Sequence, residues 1–274
     1  MTVTNAVETT MIWGTVSGAS MVGMVISLLL SVVLPIFLGI FIYKKTKAWV
    51  PAFFIGCGIF VGFAMILEQI CHAIVLTVTG SAIRDNIWLY AIYGGLAAAL
   101  FEECGRWIAM KFCLKKHLTR ENALMYGAGH GGIEAFLILG MSSMSNLLTA
   151  AMINGGLMEK TMTALEPAQQ EVTYHQLSVL WTTPAYQFYL APVERISAIA
   201  LQIALSILVY SAVKTGRKLQ LAAAFGLHFA VDFLTVVCAS TIPTWALELG
   251  LLLVVAVICV AVYKLVYVQM AEKK

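Results

Sequence analysis

The chain is poor in charge. Asp, Glu, Lys and Arg together make up 11% of its 274 residues, against about 25% in an average soluble domain. That scarcity excludes a soluble enzyme, a disordered chain and a nucleic-acid binder. Residues 1–12 hold no Lys or Arg. A secretory signal needs a basic start, so no cleaved signal peptide is expected. No CxxC pair occurs among Cys57, Cys71, Cys104, Cys113, Cys238 and Cys259, which all fall in or beside apolar runs. They read as small packing residues rather than as disulfides or a thiolate metal site. There is also no HExxH, internal repeat, low-complexity tract or domain linker.

What the chain has is apolar length, at 61% of residues. Such a chain is a polytopic membrane protein, read here as a single domain over 1–274. A spanning helix takes about 20 mostly apolar residues. Seven candidates are found, near 18–43, 51–79, 87–113, 121–141, 192–213, 219–240 and 244–266. The stretch 142–155 carries Ser142, Ser143, Ser145 and Asn146. It is too short and polar to span alone, so it either extends the fourth helix or re-enters the membrane. Residues 155–191 form one long polar connection rich in aromatics, expected to be an extracytoplasmic loop at the membrane interface.

Basic residues set the orientation. Lys44, Lys45 and Lys47 follow the first span. Lys111, Lys115, Lys116 and Arg120 join the third and fourth. Lys214, Arg217 and Lys218 join the fifth and sixth, and Lys264, Lys273 and Lys274 close the chain. With seven spans, 13 of the 17 basic residues fall on one side, and only Arg84 and Lys160 lie opposite. The expected fold is therefore an all-α transmembrane bundle in the cell membrane, bacterial in type, with the N-terminus outside and the C-terminus cytoplasmic.

Ionisable groups inside spans are costly and mark function. Here there is a set: Glu68 and His72 in the second span, Glu102, Glu103 and Arg106 in the third, His130 and Glu134 in the fourth, Glu194 and Arg195 opening the fifth, and His228 and Asp232 in the sixth. Glu68/His72, Glu102/Arg106, His130/Glu134 and His228/Asp232 are i,i+4 pairs, so each pair shares one helix face. At about 1.5 Å per residue, Glu102 lies about 15 Å from the cytoplasmic end of its helix, and His130 and His228 about 13–14 Å. Three helices of alternating direction thus bring these residues to one level, with Glu134 and Asp232 about 6 Å deeper. Gly127, Gly129, Gly131 and Gly132 surround His130. Two uses are open for them: close helix packing alone, or packing with room for water or a substrate backbone.

A carboxylate beside a histidine in a wet pocket is the minimum for activating water. Glu102 and Glu103 are adjacent, so they point about 100° apart and are expected to do different jobs. One would be the base, while the other pairs with Arg106 or orients a histidine. His228 and Asp232 would stabilise an oxyanion, with Asp232 setting the ring. The cavity is expected in the cytoplasmic half. Zinc is a second possibility, held by His130 and His228 with a carboxylate or His72. Glu68/His72 fits a ligand pair, a support for ligands or a substrate gate. Glu194/Arg195 reads as a structural ion pair near the outer interface.

The segments Phe101-Glu102-Glu103-Cys104-Gly105-Arg106, Gly129-His130-Gly131-Gly132-Ile133-Glu134 and His228-Phe229-Ala230-Val231-Asp232 together resemble the YhfC-like intramembrane peptidases. These are distant relatives of the CAAX prenyl endopeptidase and bacteriocin-processing (CPBP/Abi) superfamily. The resemblance implies that Glu102 and His130 activate water while His228 and Asp232 hold the developing oxyanion. It also implies a membrane-embedded or lipid-anchored peptide substrate and no nucleic acid. In that superfamily three residues separate the double Glu from the Arg. Here there are two, which turns Arg106 by about 100° and leaves its role open. The family name implies a metal, but relatives are argued to work without one. Two rival readings are an ion- or proton-coupled transporter and a non-catalytic scaffold, as in the scaffold subunit of gamma-secretase.

Overall fold

The computed structural model describes residues 11–270. Lys273 and Lys274 of the basic C-terminal group lie outside the described residues, as do residues 1–10. Among the described residues the regular elements are all helical. In chain order they are α1 (Gly18–Thr46), α2 (Pro51–Thr79), α3 (Ile87–Cys113) and α4 (Arg120–Asn154), the short α5 (Leu157–Met162) and α6 (Pro167–Thr182), then α7 (Ala185–Thr215), α8 (Lys218–Ala239) and α9 (Thr244–Tyr267). All but α5 and α6 are long and apolar enough to cross a membrane, which makes seven spans.

Local chemistry fixes the ends. Ser17, Asn86 and Thr119 accept N–H bonds from the first turns of α1, α3 and α4, satisfying donors a helix start leaves open. Gly216 closes α7 at φ +75°, a left-handed conformation that glycine adopts without a Cβ clash. The connection to α8 is then only two residues long, which forces the two helices to run antiparallel.

One open choice is resolved and two boundaries differ from the sequence expectation. The fourth span continues through the serine-rich stretch to Asn154 as one long helix, so 142–155 extends it rather than re-entering. Residues 155–191 are not one loop, because α5, α6 and the first turns of α7 occupy them. Pro192, taken as the start of the fifth span, lies inside α7. Neighbouring helices can re-satisfy the carbonyl a proline frees in a membrane helix. Single π-helical stretches at Val61–Glu68, Ala109–Cys113, Phe136–Gly140 and Tyr263–Tyr267 rotate the faces beyond them.

The bundle is built around α4 and α7. Helix α4 packs on α1, α2 and α7, while α7 also meets α8 and α9, and α3 packs on α8. Two knots tie the ends. At the end carrying the basic connections, Trp49 N–H donates to Asn122 Oδ1 (2.7 Å) and Arg120 Nη1 to the Tyr267 carbonyl (3.0 Å). At the opposite end Asn154 exchanges two bonds with the Val16 backbone (2.8 and 2.9 Å), and Tyr174 OH donates to the Ile12 carbonyl (2.6 Å). The basic end is filled by an apolar core that includes Met110, Leu114, Met125, Tyr126, Leu205 and Leu208. A smaller apolar cluster with Met24, Ile153 and Leu180 caps the other end. The polar side chains lie between.

Candidate functional site

Glycine decides how close α4 comes to its neighbours. A Cβ on Gly129 would lie 1.9 Å from the Phe53 carbonyl oxygen of α2, and one on Gly127 would lie 2.7 Å from Ile203 Cα of α7. Gly131 faces Ile199 of α7 and Gly132 faces Pro35 of α1 in the same way. All four glycines are thus used up by packing on three sides. The space imagined around His130 for water or substrate is filled by other helices, and His130 is fully buried.

This packing presses α3, α4, α7 and α8 together at the level of Glu102. His130 Nε2 donates to Glu102 Oε2 (2.9 Å), while Tyr126 OH stands 3.4 Å from His130 Nδ1. The Phe60 ring closes over the imidazole edge at 5.2 Å. His228 Nε2 lies 3.9 Å from the same Glu102 oxygen. The three residues placed at one level by helix arithmetic do meet.

Glu103 does a different job. Its Oε1 accepts from Arg106 Nη1 and from His228 Nδ1, the latter at 2.8 Å. So Glu103, and not Asp232, fixes the His228 ring. Asp232 instead sits 3.5 Å from His228 Nε2, on the other side of the imidazole. Arg106 is fully buried and also donates to Gln202 Oε1, with Glu102 at 3.9 Å. Its shifted position on α3 therefore still faces the cluster.

The sequence reading missed Gln202. Its amide Nε2 donates to Glu102 Oε2 (2.9 Å) and to Glu134 Oε2 (2.7 Å). With Arg106 holding its Oε1, the amide has one orientation, and it ties two carboxylates from different helices. Gln202 carries no ionisable group, so intramembrane charge does not point to it. A lone glutamine in the apolar run of α7 was the available signal. Glu248 of α9 was also missed, and one oxygen of its buried carboxyl has no hydrogen-bond partner.

Arg195 was taken as half of an outer ion pair. It does pair with Glu194, but its Nη1 also reaches Glu134 Oε1 (3.2 Å). Both Glu134 oxygens are therefore occupied. Glu102 differs, because its bonds fall on Oε2 and its Oε1 has no donor among the described residues. Glu102 lines a cavity of about 340 Å³ together with Glu134, Gln202, His228, Asp232 and Arg195. The free oxygen of Glu102 is the acceptor left for water. The lining lies on the side of the site away from the basic connections, whereas the sequence reading had expected the cavity on the side toward them.

Glu68 and His72 stand apart. They pair with each other at 3.2 Å, and His72 Nδ1 meets Tyr93 OH of α3 at 2.7 Å. Among the described residues, the group with metal-ligand spacing is Glu102, His130 and Glu134, whose donor atoms lie within 4.8 Å of one another. The geometry joins Glu134 to His130 where the sequence reading had joined His228, Glu68 and His72. Two carboxylates and an imidazole suit zinc, so the residues present fit a divalent ion by donor type and separation. The Gln202 amide, bonded to both carboxylates, competes with an ion for them. The six cysteines are unpaired, and Cys57 donates its S–H to the Gly129 carbonyl (3.2 Å).

Seven apolar helices carrying a buried carboxylate–histidine cluster beside a cavity define a multi-pass membrane protein with an internal polar site. The chain belongs to the YhfC intramembrane metalloprotease family, whose model matches residues 30–259. It is 41% identical over 222 residues to the uncharacterized membrane protein YhfC of Bacillus subtilis (strain 168), covering 78% of this chain and 83% of that protein. No solved structure matches the chain significantly.

Proposed function

We propose that the chain is an intramembrane protease that hydrolyses a peptide bond of a membrane-embedded or lipid-anchored substrate, with Glu102 as the base. The observation that carries this reading is the free Oε1 of Glu102 on the cavity wall, backed by His130 and Gln202 on Oε2. Water held at Oε1 gives a proton to Glu102 as its oxygen attacks the carbonyl carbon. When the C–N bond breaks, Glu102 returns that proton to the leaving amine. His130 is enclosed behind Glu102, so it acts through the carboxylate, orienting it and sharing its charge. His228 Nε2 faces the cavity and donates to the oxyanion when the ring carries both protons, with Glu103 accepting from Nδ1.

A metal belongs to this reading through the family's name. Glu102, His130 and Glu134 would hold it, and it would polarise the carbonyl and acidify a bound water. An ion there would replace the His130–Glu102 and Gln202–carboxylate hydrogen bonds, while Glu103 and Arg106 would still hold the His228 ring. A transporter is less well supported, because apolar side chains fill the level below the cavity and the cavity at the basic end reaches Glu103 but not Glu102. The test is membrane proteomics of new N-termini in cells expressing the wild type or Glu102→Gln. Cleavage products present with the first and absent with the second are expected at equal protein levels. Identical products from both would end the proposal.

A further inference from the structure

The cavity is one-sided. On α3 its lining runs from Glu102 back to Gly94, on α4 from Glu134 forward to Ile138, on α7 from Gln202 back to Glu194, and on α8 from His228 forward to Val236. On every one of these helices the direction is the same, away from the end that carries the basic connections. On the other side of Glu102, Tyr126, Met125, Leu205 and Met110 are buried in the apolar core, and a cavity of about 590 Å³ at the basic end, lined by Trp107, Lys218 and Phe225, reaches Glu103 but not Glu102.

A second cavity of about 720 Å³ lies farther toward that same end. Its wall includes Ser143, Asn146 and Thr149 of α4, Gln176 of α6, Thr183 and Gln187. Among the described residues no charged side chain lines it. Hydroxyls and amides within spans must face water or a polar partner, and these suit water and the peptide groups of an extended chain rather than an ion. Both cavities lie on the same side of Glu102 along the axis of the bundle, with Ile138 lining one and Leu139 the other on α4, and Glu194 lining one and Ala191 the other on α7.

We infer that water and an extended polypeptide segment reach Glu102 from the end of the bundle opposite the basic connections, with the serine- and amide-lined cavity as the vestibule. By the distribution of Lys and Arg, that end is extracytoplasmic. The substrate class is then a membrane-anchored polypeptide presented from outside. The nature of the substrate rests on the protease reading, but the side of access does not.

The test labels single cysteines with a membrane-impermeant sulfonated thiol reagent, applied to intact cells and to inverted vesicles. Thr235→Cys and Ala198→Cys report the cavity wall and Lys116→Cys marks the basic end, each made in a protein whose six native cysteines are replaced by Ala. The cavity positions are expected to label from one side and Lys116→Cys from the other, with labelling lost when the sides are exchanged. Labelling of both cavity positions from the same side as Lys116→Cys, or from neither side, would overturn the inference. Two positions guard against one variant failing to fold. If Glu102→Gln kept its cleavage products, the protease reading would fall and the side of access would stand.

Discussion

Two adjacent glutamates illustrate how position on a helix assigns chemistry. Glu102 turns toward the cavity and keeps one oxygen for water, while Glu103 turns toward Arg106 and His228. Arg106 neutralises a buried acidic layer, and removing one partner of a buried ion pair leaves the other uncompensated. Arg106→Met is therefore expected to destabilise the protein by about 3–5 kcal/mol, read as a lower unfolding temperature in detergent and lower accumulation in the membrane. Gln202→Leu removes the tie between Glu102 and Glu134 without adding a charge. Cleavage should fall about 10–100-fold, as for mutated outer-shell partners of metal ligands. If the amide competes with a metal, the Gln202→Leu protein will also retain more divalent metal through purification than the wild type, by elemental analysis. Equal activity and equal metal content in both proteins would remove Gln202 from the site.

At the scale of the element, the close approach of α2 and α4 places His130 behind Glu102. That approach depends on Gly129, whose added Cβ would meet backbone rather than a movable side chain. Gly129→Ala should cost at least the ~1–3 kcal/mol typical of overpacking. Gly58 of α2 has nothing within 4 Å of an added Cβ, so Gly58→Ala should be neutral or slightly stabilising, helped by better helix propensity. Thermal unfolding of the two variants side by side decides whether the glycines act through contact or through general flexibility. The element scale also shows where sequence reading stops. The spans were legible from hydropathy, but the choice between extending α4 to Asn154 and re-entering the membrane was not, because serines and an asparagine read the same in either arrangement.

For the whole molecule, the structure is layered: an apolar core at the basic end, a charged cluster above it, and the two polar-lined cavities on the other side. The proposed orientation follows from basic residues in the short connections. Reporter fusions after Lys116 and after Gly156 should report opposite sides, cytoplasmic and extracytoplasmic respectively. The same side for both would contradict the seven-span count.

The sequence by itself determined that the chain lives in lipid, how many times it crosses, and which charged residues share helix faces. Apolar length and i,i+4 spacing are local properties, so they need no partner to be read. It also separated Glu102 from Glu103, because two neighbours on one helix cannot point the same way. Only the tertiary structure decided which face meets which. It gave the ring of His228 to Glu103 rather than to Asp232, drew Arg195 inward to Glu134, placed Gln202 between two carboxylates, and closed the space around His130. Each of those outcomes depends on the distance between separate helices, which side-chain volume and glycine contacts set and which no spacing along one chain encodes.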